Sequence, residues 1–480
     1  WGAKPTSGCS KSGRNPGRGD PGVSRFVAPC RCMPAGDHDD GGDVAAAPGG
    51  TLRRTLGLGS LTFYGIGLIL GAGIYSILGE AAGIAGEALW QAFLLGSLAA
   101  FLTGLSYAEL ATMFPRAGAE YVYLREAWPR LAWLPGTLGW ALVLAGIATT
   151  ATVALAFAGY ASRFLTISPW PIAAGLVLAA VGLNLVGVRE ASRVNIVFTL
   201  VEAAGLVAVI VVGARDPAFG EVFRAAPHAG VLGGAALIFF AYLGFEDIAN
   251  LAEEAAHPAR DLPRAIVIAV AISTTLYVLV AAASVALVAP ARLAESASPL
   301  ADVMAAGAPR LAGALGGVAL FATANTALIA VTATSRPLFA LARGGDAPAG
   351  LGRTLATRQT PAAALVLTGA GALAFLPVGG VGFVGSVASL LALLAFAAVN
   401  AALIRLRFTQ PERPRPFRAP LRVGRVPVLT VLALLVVLVL LVQFERAAYG
   451  LAAAAIAVAV AVRSLPRLAG SASTRTSDGR

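Results

Sequence analysis

The chain of 480 residues is 57% hydrophobic and 13% charged, with a mean hydropathy of +0.77, proportions that exclude a soluble globular protein. Its net charge of +11 calls for no nucleic-acid partner, because arginines gathered on one face of a bilayer with anionic headgroups account for it.

Residues 1–50 are rich in Gly, Pro, Asp and Arg and hold no apolar run able to pack or to act as a signal peptide, so a disordered cytoplasmic tail is expected. Cys9, Cys30 and Cys32, with Lys4 and Lys11, all precede Met33, which is the expected start of translation, with 1–32 as upstream sequence. The Cys-x-Cys spacing of Cys30 and Cys32 near His38 matches no structural zinc pattern. No metal and no cofactor is expected.

Apolar runs of the length that crosses a bilayer, about 20 residues, begin at 57–79 and continue at 89–113, 131–161, 170–187, 190–213 and 231–252. Six more follow at 264–289, 309–342, 361–377, 381–404, 426–443 and 447–463, twelve in all. Strands of a membrane barrel alternate apolar and polar residues, whereas VLTVLALLVVLVLLVQF (428–444) is apolar on every side. The runs therefore predict helices. Lys and Arg accumulate in cytoplasmic loops, and from Arg53 onward one set of alternate loops and termini carries 24 arginines against six on the other. Both termini are expected in the cytoplasm.

The first run contains GIGLILGAGIY (65–75), with Gly65, Gly67, Gly71 and Gly73, although each glycine inside a helix costs about 1 kcal/mol relative to alanine. A dinucleotide-binding fingerprint needs GxGxxG directly after a strand; here the third glycine falls at 71 rather than 70 and no strand precedes it. Two readings remain: a packing face along Gly67 and Gly71, or a helix broken to expose backbone groups at the bilayer midplane. The broken-helix reading requires a second interruption in the matching run of the other half. That run, GGAALIFFAYLGFEDIANLAEE (233–254), has small residues at Ala241 and Gly244 and aromatic ones at Phe239, Phe240 and Tyr242.

From Leu56 to about Leu421 the chain resembles the amino acid, polyamine and organocation (APC) superfamily of transporters. The resemblance rests on GAGIY (71–75), YAELATMFPRAGAEYVYLREAW (107–128), FFAYLGFE (239–246) with AEEAAHPARDLPRAI (252–266), TSRPLFALARGGDAP (334–348) and VNAALIRLRFTQPERPRPFRAPL (399–421). It implies an all-α membrane protein of about 12 transmembrane helices. These would form a five-plus-five inverted repeat, the leucine-transporter-like fold, with discontinuous helices 1 and 6 and two extra helices. The transporter domain would span 51–463, with repeat one at 51–213, repeat two at 231–404 and helices 11 and 12 at 426–463, followed by a cytoplasmic tail at 464–480.

The resemblance also implies a site. An amino acid carboxylate would sit on free N–H groups around Gly71, Ala72 and Gly73, since a helix N-terminus is a ready anion site. Carbonyls near Ile69, Phe240 and Ala241 would hold the ammonium, and Tyr242 or Phe239 would cover the site, with a lipid-facing or core role as the alternative for either. Asn325 and Thr326, in the middle of the eighth run, are candidates to line the pathway or to bond across helices.

Intramembrane carboxylates are functional candidates because each costs about 2.5–3.5 kcal/mol at the bilayer centre. Glu202 and Glu246 have no basic partner at their depth, as every arginine is expected at or beyond a span's edge. Proton-coupled relatives often have a lysine where NIVFTLVEAAGL (195–206) places Glu202. The acid suits proton coupling, a bound cation, or a hydrogen bond to glycine-rich backbone. Glu109, Glu126, Glu253 and Glu254 are candidates for an inner gate with Arg53, Arg54, Arg260 and Arg264, with solvated surface charge as the alternative.

No HExxH, GxSxG or P-loop pattern occurs, so an enzyme is not expected. The resemblance and the acids together predict a secondary active transporter in the cell membrane that carries an amino acid or related amine by alternating access. Proton symport is the expected coupling, with sodium ion, substrate exchange or a transport-inactive sensor of the same fold as alternatives.

Overall fold

Two helices of this all-α chain are interrupted in mid-course and resume a few residues later. The computed structural model describes residues 56–115, 119–131, 133–186, 192–252, 254–354 and 361–475, and side chains over the same ranges except 192–195 and 462–475. The expectations for residues 1–50, Arg53, Arg54 and Glu253 lie outside the described residues.

The first interruption separates α1 (Leu58–Ile69) from α2 (Ala72–Ala85), and a 3-10 turn at Gly86–Ala88 leads into α3 (Leu89–Met113). A short α4 (Ala119–Ala127) precedes α5 (Trp133–Ala161), α6 (Pro169–Val186), α7 (Ser192–Gly213) and the single turn α8 (Ala218–Val222). The second interruption follows α9 (Gly230–Ile238), which tightens into a 3-10 turn at Phe239–Tyr242 and resumes as α10 (Asp247–Asn250). Beyond it lie α11 (Pro258–Leu287), the short α12 (Pro290–Ala294) and α13 (Pro299–Gly307), α14 (Pro309–Arg343), α15 (Ala362–Phe375) and α16 (Val381–Thr409). A two-residue hairpin, β1 (Arg422–Val423) with β2 (Val426–Pro427), leads to α17 (Val428–Leu441) and α18 (Arg446–Arg475).

Among the described residues, eight helical stretches are long and apolar enough to cross a membrane, or nine if α17 and the start of α18, bent by 108° at their break, count as one. Leu58–Ile69 and Ala362–Val378 are shorter apolar helices. The difference from the twelve runs read in the sequence comes partly from the breaks. At about 1.5 Å per residue, the 12 residues of α1 and the 14 of α2 reach about 18 and 21 Å, and only the pair covers a hydrocarbon core of about 30 Å.

α5 is the hub of the bundle, packed on α14, α16, α6 and α15, while α3 packs on α11 and α9. α6 buries only Ala173, Val177 and Ala180 and turns Leu178, Leu183 and Val186 outward, as a lipid-facing helix does. α14, with 35 residues, is about 52 Å long and outreaches the hydrocarbon core. Arg336 therefore sits inside the helix, two turns before its end at Arg343, where the sequence led us to expect it at a loop.

Candidate functional site

The two interruptions lie against each other. In α1 the helical pattern ends with the Leu70 N–H donating to the Ile66 carbonyl (2.8 Å), and Gly71 turns the chain with φ −51° and ψ −158° into α2. In the other half, Leu243 is extended (ψ 139°) and Gly244 adopts φ +117°, a conformation that L side chains rarely accept. An added Cβ at Gly244 would also lie 2.9 Å from Leu68 Cβ. Gly73 meets the second break directly, for a Cβ there would be 2.6 Å from Ala241 Cα. At Gly71 it would be 2.6 Å from the Thr326 hydroxyl oxygen.

Breaking a helix frees its end groups. The N–H groups of Gly71, Ala72, Gly73 and Ile74 have no preceding turn to bond to. The Ala72 N–H donates instead to Thr326 Oγ1 (2.9 Å) on α14. On the acceptor side, the Tyr277 hydroxyl from α11 reaches both breaks: it hydrogen-bonds the Ile69 carbonyl and lies 3.3 Å from the Ala241 carbonyl. The Phe240 carbonyl accepts from Leu243 N–H (3.3 Å). Gly71, Ala72, Gly73, Ile69, Phe239, Phe240, Ala241, Tyr242 and Asn325 are buried, and Thr326 is half-buried. The arrangement sets donors with a positive helix end beside acceptors with a negative one.

The two aromatic candidates turn toward neighbouring helices. Tyr242 donates to the Phe93 carbonyl of α3 (3.0 Å) and its ring lies 5.4 Å from that of Tyr277. Phe239 packs edge-on against Phe396 of α16 at 5.7 Å. Tyr277, the side chain that bridges both breaks, was absent from the sequence-derived candidates. Its only signal was a phenol inside an otherwise apolar run.

Glu202 is 1% exposed and lies one helix away from the breaks. Its backbone carbonyl accepts from the Tyr75 hydroxyl of α2 (3.2 Å), and its carboxyl is within hydrogen-bond reach of the Asn325 side chain on α14. Two acceptor atoms there, Glu202 Oε1 and Asn325 Oδ1, are buried without a partner. Buried acceptors left unmatched are costly, on the order of 1–3 kcal/mol each. Asn325 and Thr326 are consecutive on α14, one bonded toward Glu202 and the other toward Ala72.

Glu246 has a local task. Its Oε2 accepts from the Gly244 N–H (2.8 Å), occupying a backbone donor freed at the second break, while Asp247 accepts from Asn250 Nδ2 (3.2 Å). α4 closes over this end: Ala119 N–H lies 3.3 Å from Asn250 Oδ1, and Tyr107 donates to Glu120 (3.1 Å). Burial pushes the Glu120 carboxyl up to about 7; its backbone hydrogen bond opposes this, Asp247 adds to it, and the Tyr107 hydroxyl opposes it.

Two of the carboxylates expected at an inner gate, Glu109 and Glu126, have other partners. Glu109, fully buried, accepts from Arg407 Nη2 (2.6 Å), Arg415 Nε (3.2 Å) and the Ala419 N–H (2.8 Å). Glu126 pairs with Arg413 at 2.9 Å. The end of α3 and the end of α4 face α16 and the segment after it, so Arg407, Arg413 and Arg415 reach these acids in place of Arg260 and Arg264. The result is a buried clasp between α3 and α16.

Comparison with known proteins bears on the same stretch of chain. The profile of the family described as amino acid permease matches residues 56–462. A branched-chain amino acid permease of Bacillus subtilis is 30% identical over 417 residues, covering 82% of this chain and 88% of the relative. A methylthioribose transporter of Bacillus subtilis is 29% identical over 408 residues, 80% of this chain and 87% of the relative. The chloroplastic cationic amino acid transporter 9 of Arabidopsis thaliana is 31% identical over 333 residues, 64% of this chain and 58% of the relative.

Proposed function

Since the chain belongs to the amino acid permease family and is a multi-pass integral membrane protein rather than an enzyme, we propose that it carries an amino acid or related amine across the cell membrane by proton-coupled alternating access. Its two halves, 51–213 and 231–404, act as an inverted repeat whose broken helices form the site, with α17 and α18 outside it. Both termini face the cytoplasm.

The observation that carries the reading is the pair of stand-in hydroxyls. Thr326 on the Ala72 N–H and Tyr277 on the Ile69 and Ala241 carbonyls take up the groups that an amino acid zwitterion would bind. An arriving carboxylate displaces Thr326 from the α2 N-terminus and gains free N–H donors and the positive helix end. The ammonium takes the place of the Tyr277 donor. Charge-assisted hydrogen bonds of this kind are roughly twice as strong as neutral ones, which drives the exchange.

Coupling follows from α14. Any shift of that helix that moves Thr326 away from Ala72 also moves Asn325 relative to Glu202. A proton on Glu202 gives a donor to the unmatched Asn325 Oδ1 and removes an isolated buried charge, so protonation and substrate binding act on one element. The two sites then bias a common equilibrium, which is the requirement for linkage.

Uptake of a labelled amino-acid mixture into proteoliposomes tests this. Accumulation that rises when the outside is made acidic is the expected result, and uptake only into vesicles preloaded with amino acid would identify an exchanger. If no amine is taken up or exchanged, the transport reading fails.

A further inference from the structure

The end of α16 and the first half of α17 border a shallow, open groove of about 380 Å³, lined by Trp128, Ile404, Arg405, Phe408, Thr409 and Leu434. Phe408 and Thr409 belong to the last turn of α16, Arg405 lies about one turn before its end, and Leu434 lies nearly two turns inside α17. Phe408 is 48% exposed, an unfavourable place for a phenyl ring in water and a natural one in lipid.

Arg405 is held but not neutralised. Its Nε donates to the Ala127 carbonyl (2.6 Å) at the end of α4, and its guanidinium lies 5.9 Å from the Trp128 ring centroid. Its neighbours Arg407, Arg413 and Arg415 all pair with Glu109 or Glu126. Among the described residues, Arg405 has no such carboxylate. Its two Nη groups are thus the uncompensated charge of this helix end, fixed in direction by the Ala127 bond. The hairpin that runs straight into α17 adds Arg422 and Arg425, both exposed, at the same end.

We propose that this groove binds an anionic phospholipid, with the phosphate on the Arg405 guanidinium and an acyl chain along Ile404, Phe408 and Leu434. A zwitterionic lipid would meet the same apolar wall but bring its own cation against an arginine-rich end. Trp128 lies at the interface level where indole rings favour the headgroup boundary. Because Arg405 also fixes the end of α4, a bound lipid strengthens the seat of the short helix that covers the inner end of the second break.

Trp128 supplies the probe. The full chain is reconstituted in phosphatidylcholine containing increasing fractions of acyl-brominated phosphatidylglycerol or acyl-brominated phosphatidylcholine. Quenching of the Trp128 component is read as the difference between the protein and its Trp128→Phe variant. Half-quenching is expected at about fivefold lower mole fraction for the anionic lipid, the worth of roughly one arginine at an anionic surface. Arg405→Gln is expected to remove most of that preference and Arg405→Lys to keep part of it, with no reversal by inorganic phosphate. Equal quenching by the two lipids in the native protein, a preference untouched by Arg405→Gln, or reversal by inorganic phosphate would each overturn the proposal.

Discussion

Gly73 and Ala241 are the point at which the two interrupted helices touch: a methyl group added at Gly73 would stand 2.6 Å from the Ala241 Cα. Backbone is the obstacle, so no rotamer change relieves it. The glycine is what allows α2 to begin where the turn after α9 ends, and with it the donor and acceptor halves of the site come together.

Tyr277 joins the same two breaks through its hydroxyl, and Tyr277→Phe leaves the Ile69 and Ala241 carbonyls without that donor. Loss of about 1–3 kcal/mol is expected in the substrate-free protein. An ammonium from the substrate replaces the donor, so substrate is expected to raise the melting temperature more in the variant than in the native protein. Thermal unfolding with and without amino acid checks this; equal or smaller shifts in the variant would remove the ammonium from these carbonyls.

Glu202→Gln keeps the shape and the hydrogen bond to Asn325 but holds no exchangeable proton. Uptake by this variant is expected to lose its response to an imposed pH gradient while substrate binding changes by less than about tenfold, or 1.4 kcal/mol. Transport that retained full gradient dependence would assign coupling elsewhere.

Glu120 gives a separate dependence on pH. Its folded-state value, about 7, lies above the ordinary carboxyl value of 4.5, so the folded state holds the proton more tightly than the unfolded one. The contribution is fully present below about 4.5 and is lost as pH rises through about 7. Amides of 119–127 are expected to exchange hydrogen faster at pH 8 than at pH 6, after correction for the intrinsic rate. Glu120→Gln should abolish the difference.

The helical, apolar character of the chain was legible in the sequence, and the azimuth of its side chains was not. The apolar runs gave the helices, and Gly71, Gly73 and Gly244 marked where two of them had to break. Tyr277 escaped notice because a tyrosine in an apolar run looks like any core aromatic, and its partner Ile69 lies 208 residues away. Glu109 was identified as an ion-pair former, but neighbours in the chain suggested the wrong arginines. Its partners, Arg407 and Arg415, are 298 and 306 residues distant, and only the packing of α3 on α16 selects them. For Tyr242 and Phe239 the helix rotation that sends one to Phe93 and the other to Phe396 depends on the whole bundle.

The most direct test of the broken-helix site compares Gly73→Val with Gly65→Ala in an equilibrium binding assay with labelled amino acid on purified protein. At Gly65 the added carbon meets the flexible end of Ile248, 2.3 Å away, so a change in stability is expected with binding retained. At Gly73 it meets the backbone of Ala241, and binding is expected to disappear although the variant remains folded. Undiminished binding by Gly73→Val would contradict the account and reduce the glycines of 65–75 to a helix-packing face.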